Sequence, residues 1–341
     1  MRPGDACFPR EQPARRAVPV LDGEEVPHGT PEASLSGEFA FLERLRLALP
    51  TPPPGQVGLG DDTAVLDGGL LFATDVLTEG IHFDLAWSTP VDVGWKALAV
   101  NLSDVAAMGG TPRAAVCGVV LCAGRKGEAD DVAAGLMAAA AELGCPLVGG
   151  DTVVGAALTV TVAVVGDSPE GGAVLRSGAR PGDSVFVTGP LGGSKAALAA
   201  LRRDQPADPV ALARLQRPVP RLFEGRTAAA AAASAMIDLS DGLSSDLAHI
   251  CRASGVGARI EASAVPVGPG AAVDDALSGG DDYELCFTAP DPVRVAEAFA
   301  AAGLHLPAPI GTVTTDDEVL LLTPTGGTWP LAPAGWEHPV E

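Results

Sequence analysis

Lysine and aromatic residues are scarce in this sequence. Of its 341 residues, three are lysine (Lys96, Lys126 and Lys195), one is tyrosine, and aromatic side chains make up 4%. With 22 basic and 43 acidic residues, the formal net charge is −21. So acidic a chain argues against nucleic acid and anionic membranes as partners. It does not argue against phosphate-bearing substrates, because bound metal ions can supply positive charge locally.

Several familiar sequence signals are also missing. The six cysteines are scattered among apolar residues without a CxxC pair, which predicts reduced thiols in a cytoplasmic protein and argues against a disulfide framework or a zinc site. No apolar run reaches membrane-spanning length, and the first residues lack the apolar region of a signal peptide. We find no GxxxxGK[ST] phosphate loop, no protein-kinase signature set and no GxSxG elbow.

The length indicates about two domains. Residues 1–36 carry prolines and charges without periodicity, and we expect them to form a disordered extension. The turn-forming run RSGARPGD at 176–183 predicts a boundary between an N-terminal domain over 37–178 and a C-terminal domain over 179–341. Strand-like and helix-like segments mix without strict alternation, so the expected fold class is α+β (mixed α/β).

One stretch, VNLSDVAAMGGTPR at 100–113, sets the functional interpretation. Apolar residues recur at roughly helical spacing from Trp95 onward, which predicts a buried helix that stops at Gly109. This helix contains one carboxylate, Asp104, which is costly to bury without a cation or a hydrogen-bonding partner. Since lysines are few, a divalent cation is the more obvious partner. The alternative is that Ser103 and Asp104 merely cap or kink the helix.

Further aspartates lie beside glycine or hydroxyl residues, after apolar segments. Magnesium takes hard oxygen ligands of this kind, together with water and substrate phosphates. Any single aspartate of the set is better explained as a turn or cap residue. Six groups together favour a crevice that holds several magnesium ions. The groups are Asp61 with Asp62, Asp75, Asp104, Asp151, Asp238 and Asp241.

Local patterns predict where these groups lie on strands and turns. A strand over 70–74 is expected to end in Asp75, and a strand over 146–148 is expected to run into Gly150 and Asp151. A strand-like piece surrounds His82. Residues 235–242, AMIDLSDG, predict a strand and a turn that leads into a helix over 243–254.

Seven motifs, taken in order, resemble the thiamine-monophosphate kinase family, which belongs to an ATP-binding superfamily with aminoimidazole ribonucleotide synthetase and selenophosphate synthetase. The resemblance implies that ATP, held in the acidic crevice, gives its γ-phosphoryl group to thiamine monophosphate. It also implies a homodimer whose N-terminal, ATP-binding and metal-binding domains pair. The motifs are GLGDD at 58–62, ATDVLTEGIHF at 73–83, KALAVNLSDVAAMGG at 96–110, GGDT at 149–152, RSGARPGD at 176–183, IDLSDGLSSDL at 237–247 and LSGGDDYELCFT at 277–288.

The resemblance also implies roles for individual residues. The implied magnesium ligands are Asp62, Thr74, Asp75, Asp104, Asp151, Asp238 and Asp241, of which Asp104, Asp151 and Asp241 are the catalytic candidates. The implied ATP contacts are Gly150, Asp151, Arg176 and Ser240, and the implied contacts to thiamine monophosphate are His82, Asp281 and Trp336. Two positions depart from the family pattern. Ala73 replaces a serine or threonine, and Asp281 replaces a glutamate that is one methylene longer.

The implied chemistry agrees with the composition. Joining a triphosphate to a monophosphate brings two polyanions together, and a chain with so few lysines needs metal ions to neutralise them. The acceptor phosphate is already a nucleophile, so direct in-line transfer is expected. Two alternatives stay open at this point: another ATP-dependent synthetase of the same superfamily, and a non-catalytic protein that binds divalent ions.

Overall fold

The computed structural model describes residues 38–335, so the expected disordered extension over 1–36 and Trp336 both lie outside the described residues. The helices in this range are α1 Glu38–Ala48, α2 Pro90–Ala107, α3 Glu128–Leu143, α4 Gly193–Leu201, α5 Pro209–Gln216, α6 Leu222–Ala230, α7 Leu243–Ser254, α8 Val273–Ser278 and α9 Pro292–Ala301. The strands are β1 Ala64–Leu66, β2 Leu70–Thr78, β3 Thr111–Cys122, β4 Leu147–Gly155, β5 Thr159–Asp167, β6 Ser184–Val187, β7 Ala235–Asp238, β8 Gly257–Glu261, β9 Leu285–Ala289, β10 Ala308–Thr314, β11 Val319–Leu322 and β12 Thr328–Pro330.

In the described part of the chain, the first sheet has five strands in the order β1-β2-β5-β3-β4. Only β3 and β4 run parallel; the other neighbours are antiparallel. In β5, Val160, Val162 and Val164 are fully buried while the residues between them are partly exposed. This period of two predicts one covered face and one open face. Helix α2 covers the buried face, and α3 packs against α2.

The second sheet has seven strands in the order β12-β11-β8-β10-β6-β9-β7. The mixed α/β fold class is therefore confirmed. The predicted boundary at 178/179 lies in the loop between the two sheets and stays a prediction. No helix within 38–335 is long and apolar enough to cross a membrane. Five of the six cysteines lie in the described part of the chain, and all five are free thiols there.

Helix α2 is the predicted buried helix, and it connects the two halves of the protein. It begins with a capping box, in which Thr89 and Asp92 each accept a hydrogen bond from the other's backbone N–H. It ends just before Gly109, whose φ of +68° is the left-handed conformation that favours glycine. Its last turns also pack on α6 and β7 from the second half. Asp104 is thereby brought against residues more than a hundred positions away.

The structure corrects three local predictions. Asp75 lies inside β2, which continues to Thr78, and Asp151 lies inside β4, which continues to Gly155. Neither aspartate is at a strand end. His82 lies in a turn held by the Ile81 and His82 N–H groups, which both donate to the Thr78 carbonyl, and it does not lie in a strand.

Candidate active site

Three carboxylates from distant parts of the chain converge where the two halves meet. Asp62 precedes β1, Asp104 lies on α2, and Asp238 is the last residue of β7. One oxygen of each lies within 4.8 Å of the other two. We call these three residues the carboxylate cluster. Oxygen atoms this close, on negatively charged groups, form the kind of donor set that a hard divalent cation binds.

Asp75 lies beside the cluster on the covered face of the first sheet. Its backbone N–H donates to the Asn101 side-chain carbonyl at 3.0 Å, and the Asn101 amide in turn donates to the Ala97 carbonyl at 2.9 Å. Asn101 is fully buried on α2 and fixes the helix against β2. The sequence interpretation missed this residue, although it is a lone amide in an apolar helix.

Burial and mutual repulsion make these carboxyls reluctant to ionise. Burial, and then the charge of Asp62, raises the pKa of Asp75 to about 6 and that of Asp238 to about 8. The Ser103 hydroxyl donates to Asp238 at 2.6 Å, which opposes part of that rise. The pKa of Asp104 lies well above its usual range, first through burial and then through the charges of Asp75 and Asp238. In the described chain the Asp104 side chain makes no hydrogen bond or ion pair.

Arg176 is the cation beside the cluster. Its guanidinium contacts both oxygens of Asp62, with Nη2 at 2.8 Å from Oδ1 and Nε at 3.3 Å from Oδ2. Its backbone N–H donates to the Asp61 carboxylate at 3.1 Å. Burial, and then Asp62, raises the pKa of Asp61 to about 7. One arginine faces several carboxylates, so ionising all of them would leave the site with excess negative charge.

Of the predicted metal ligands outside the cluster, Thr74 and Asp151 have side chains on the other face of the first sheet. Successive side chains of a strand point to opposite faces, so Thr74 points away from Asp75. The Thr74 hydroxyl donates to the Val162 carbonyl at 2.9 Å. In the sheet register Asp151 lies opposite Gly118, which lies opposite Thr161, which in turn lies opposite Val76. Residues in such a row point to the same face, and Val76 lies on the open face. The side chains of both predicted ligands therefore lie on the open face.

Gly150 lies next to Asp151 on β4, where the backbone of β3 passes closely. A Cβ atom at Gly150 would overlap the carbonyl oxygen of Cys117. Only glycine fits this close approach. The packing of β4 on β3 therefore explains the glycine at position 150, independently of the ATP contact that the resemblance implies.

The turn after β7 is ordered by an aspartate that the sequence interpretation missed. The Asp246 carboxylate accepts from the backbone N–H groups of Gly242, at 2.9 Å, and Asp241, at 3.2 Å. Asp246 is 2% exposed, and burial, followed by the charge of Asp241, raises its pKa well above the usual range. Asp241 is close to Asp246 but outside the carboxylate cluster. The sequence feature that could have identified Asp246 is an acidic residue in the first turn of a helix that follows a glycine turn.

A pocket of about 190 Å³ lies between residues 80–96 of the first half and helices α4 and α5 of the second. We call it the acceptor pocket. It is lined by Gly80, Ile81, His82, Phe83, Asp84, Trp87, Ser88, Lys96, Leu198, Arg202, Leu215 and Asp281. Two predicted substrate contacts, His82 and Asp281, thus line one pocket. The His82 Nδ1 atom accepts from the Thr78 N–H at 3.1 Å, which leaves Nε2 as the protonated nitrogen of the neutral ring.

Asp281 connects the acceptor pocket to the turn after β7. Its φ is +64°, a left-handed conformation that a non-glycine residue adopts at a cost, and its N–H donates to the Ser240 carbonyl at 2.8 Å. Its carboxylate accepts from the Tyr283 hydroxyl at 3.0 Å and lies 2.9 Å from the Lys96 ammonium. The sequence interpretation missed Lys96, although a lone lysine in a buried helix raises the same question as Asp104.

Comparison with known proteins identifies the family to which this chain is similar. Residues 60–167 match the family model of the AIR synthase related protein, N-terminal domain, and residues 180–322 match that of its C-terminal domain. The chain is 40% identical to the thiamine-monophosphate kinase of Salmonella typhimurium, over 89% of this chain and 98% of that protein. It is 41% identical to that of Escherichia coli K12, over 83% and 92%. A solved complex of AaThiL with AMPPCP and TMP is 32% identical, covers 89% of this chain and 97% of its own, and superposes with a TM-score of 0.78.

Proposed function

The chain belongs to the thiamine-monophosphate kinase family, and on that premise we propose that it transfers the γ-phosphoryl group of ATP to thiamine monophosphate, forming thiamine diphosphate and ADP. One structural observation supports this proposal independently of the similarity to known kinases: the carboxylate cluster and the acceptor pocket are neighbours. The hydrogen bond from Asp281 to Ser240 joins the pocket wall to the turn that follows Asp238. A donor at the cluster and an acceptor in the pocket would meet between them.

The carboxylate cluster suits magnesium. It offers hard oxygens at close range, and the Asp104 side chain makes no hydrogen bond or ion pair within residues 38–335. Asp62, Asp104 and Asp238 would hold the ion, with Asp75 beside them. When bound, magnesium would neutralise phosphate charge and polarise the transferred group. Thr74, Asp151 and Asp241 stay predicted ligands that the cluster does not include.

The protein's own residues supply orientation and charge. Arg176 uses one edge of its guanidinium, Nε and Nη2, on Asp62, so it is positioned at the cluster and can share its donors with a nucleotide phosphate. Gly150, Asp151 and Ser240 stay predicted ATP contacts. His82 and Asp281 would hold the acceptor, with Trp336 as a predicted third contact. Because the acceptor phosphate is itself a nucleophile, we propose direct in-line transfer and inversion at phosphorus.

We also propose that the protein is a homodimer paired through the open face of the first sheet. Large apolar side chains are exposed across this sheet, and such a patch marks an interaction surface. They include Phe72 at 44%, Val76 at 47%, Val116 at 43% and Val153 at 52% exposure. Thr74 and Asp151 share this face, so they would lie at the subunit boundary. We place the enzyme in the cytoplasm, in keeping with its free thiols.

The dimer is tested by analytical ultracentrifugation of Val76→Asp, which adds a charge to the open face. We expect a monomer. Val293→Asp is the matched control, because Val293 is 64% exposed on α9, far along the chain from this sheet. A Val76→Asp protein that sediments as a dimer would mean that another surface pairs the subunits.

The reaction is tested by a coupled assay for ADP release. Release that requires both thiamine monophosphate and magnesium supports the kinase, and its absence from folded protein would reject it. The superfamily match alone would also fit a synthetase that activates an amide oxygen, but the near relatives are kinases. A non-catalytic ion-binding protein would bind magnesium equally well with and without an ATP analogue, which calorimetry measures.

A further inference from the structure

Lys96 is a buried cation in the wall of the acceptor pocket. It is 4% exposed on α2. Its ammonium lies 2.9 Å from the Asp281 carboxylate and 3.5 Å from the His82 carbonyl oxygen. A charge this deeply buried needs a counter-ion, and within residues 38–335 Asp281 is the carboxylate that forms an ion pair with Lys96.

The two members of this pair differ in exposure. The Lys96 side chain is 5% exposed and that of Asp281 is 31% exposed. The pocket wall therefore presents an accessible negative charge with a positive charge directly behind it. Thiamine monophosphate has the complementary arrangement, because it joins a cationic thiazolium ring to an anionic phosphate.

The position of Lys96 along α2 relates it to the carboxylate cluster. Ser103, which donates to Asp238, follows Lys96 by seven residues and so lies on the same side of the helix, about 10 Å further along its axis. A phosphate held at Lys96 would therefore be directed along α2 towards the cluster. That separation leaves room for a second phosphoryl group between the two sites.

We propose that Lys96 binds the phosphate of the acceptor, and that the Lys96–Asp281 ion pair opens when the acceptor enters. The phosphate replaces Asp281 as the counter-ion of Lys96, and Asp281 becomes the counter-ion of the thiazolium ring. Each buried charge keeps a partner throughout the exchange. Lys96 thereby selects thiamine monophosphate over unphosphorylated thiamine. This inference rests on the proposed function and identifies the group that recognises the substrate's phosphate.

The test is calorimetric titration of the full-length protein with two probes, thiamine monophosphate and thiamine, in the presence of magnesium and AMPPCP. In Lys96→Met we expect the Kd for thiamine monophosphate to rise about tenfold or more, as for the loss of a charged hydrogen bond. The Kd for thiamine should stay the same or fall, because Asp281 is released to the ring. Lys126→Met makes the same change at an exposed lysine and should alter neither Kd.

Equal weakening of both probes would overturn the inference, because it would show that Lys96 only holds Asp281 in place. An unchanged Kd for thiamine monophosphate would also overturn it. If Lys96→Met does not fold, Lys96→Met/Asp281→Asn removes both charges together. The Kd of this variant for thiamine monophosphate should remain higher than that of the wild type, and a Kd equal to wild type would refute the role of Lys96.

The same experiment separates this inference from the proposed function. A wild-type protein that neither binds thiamine monophosphate nor releases ADP with it would refute the kinase assignment. A wild-type protein that does both, paired with a Lys96→Met variant that weakens both probes equally, would refute only the role of Lys96.

Discussion

Replacing Asp104 with asparagine should stabilise the metal-free protein while abolishing its activity. Asparagine keeps the shape of the side chain and removes its charge. At the observed separation of 4.8 Å or less, two full charges repel by about 3.5 kcal/mol at an effective dielectric constant of ~20. Asp104 faces such repulsion from both Asp62 and Asp238, and the nearby Arg176 offsets part of it.

Protons bound by the cluster also relieve repulsion, so the gain should grow as the pH rises, and it is measured at about pH 9, above the pKa of about 8 of Asp238. After these offsets we expect Asp104→Asn to raise the free energy of unfolding by about 2 kcal/mol, or the melting temperature by about 4 °C. Stabilisation by magnesium with AMPPCP should disappear, and so should turnover.

The assay is differential scanning calorimetry at about pH 9, once with a chelator and once with magnesium and AMPPCP. Asp317→Asn, which removes an exposed aspartate in the second half, is the control and should change neither melting temperature. The reasoning would be refuted if metal-free Asp104→Asn melted at or below wild type while magnesium still stabilised it. Turnover near wild type at saturating magnesium would equally reject Asp104 as a ligand.

Three further predictions concern pH, the acceptor pocket and the N-terminus. Asp75 and Asp238 have pKa values raised above the ~4 of an unfolded aspartate, so above about pH 4 the fold holds protons that the unfolded chain has lost. Metal-free protein should therefore lose stability as the pH rises from about 4, with the contribution of Asp75 lost by about pH 6 and that of Asp238 by about pH 8; a melting temperature that stays flat or rises over this range would contradict this. Asp281→Ala and Trp336→Ala should raise the KM for thiamine monophosphate far more than that for ATP, whereas Asp281→Glu should be tolerated. Equal effects on both KM values would show that the acceptor does not bind in this pocket. Deletion of residues 1–36 should leave activity and melting temperature unchanged, and a large loss of either would show that this segment docks on the folded body.

The sequence by itself determined the central helix and the acidic chemistry. A helix repeats every 3.6 residues, so the burial of α2 and the oddity of Asp104 inside it can be recognised within a few turns of chain. The same holds for the strand, turn and helix around Asp238, where α7 was predicted with the bounds that the structure gives it. These features depend on local pattern and on the general cost of burying charge.

Strand length was decided by pairing between distant segments. Glycines usually end a strand, so β4 was predicted to stop at residue 148. It continues because it pairs with β3 up to Cys122, and because Gly150 has no Cβ to strike the Cys117 carbonyl. Likewise β2 continues past Asp75 because β5 pairs with it as far as Thr78. These lengths determine which side chains reach the covered face.

Only the tertiary structure decided which charges meet. Lys96 and Asp281 form their ion pair across 185 positions, and Arg176 reaches Asp62 across 114. No periodicity relates such partners, because their contact depends on how α2 packs between the two sheets. Sequence therefore identified Asp104 as a buried charge that needed a partner but missed Lys96, and the fold alone determined that Asp104 lies among carboxylates and Lys96 lies beside one.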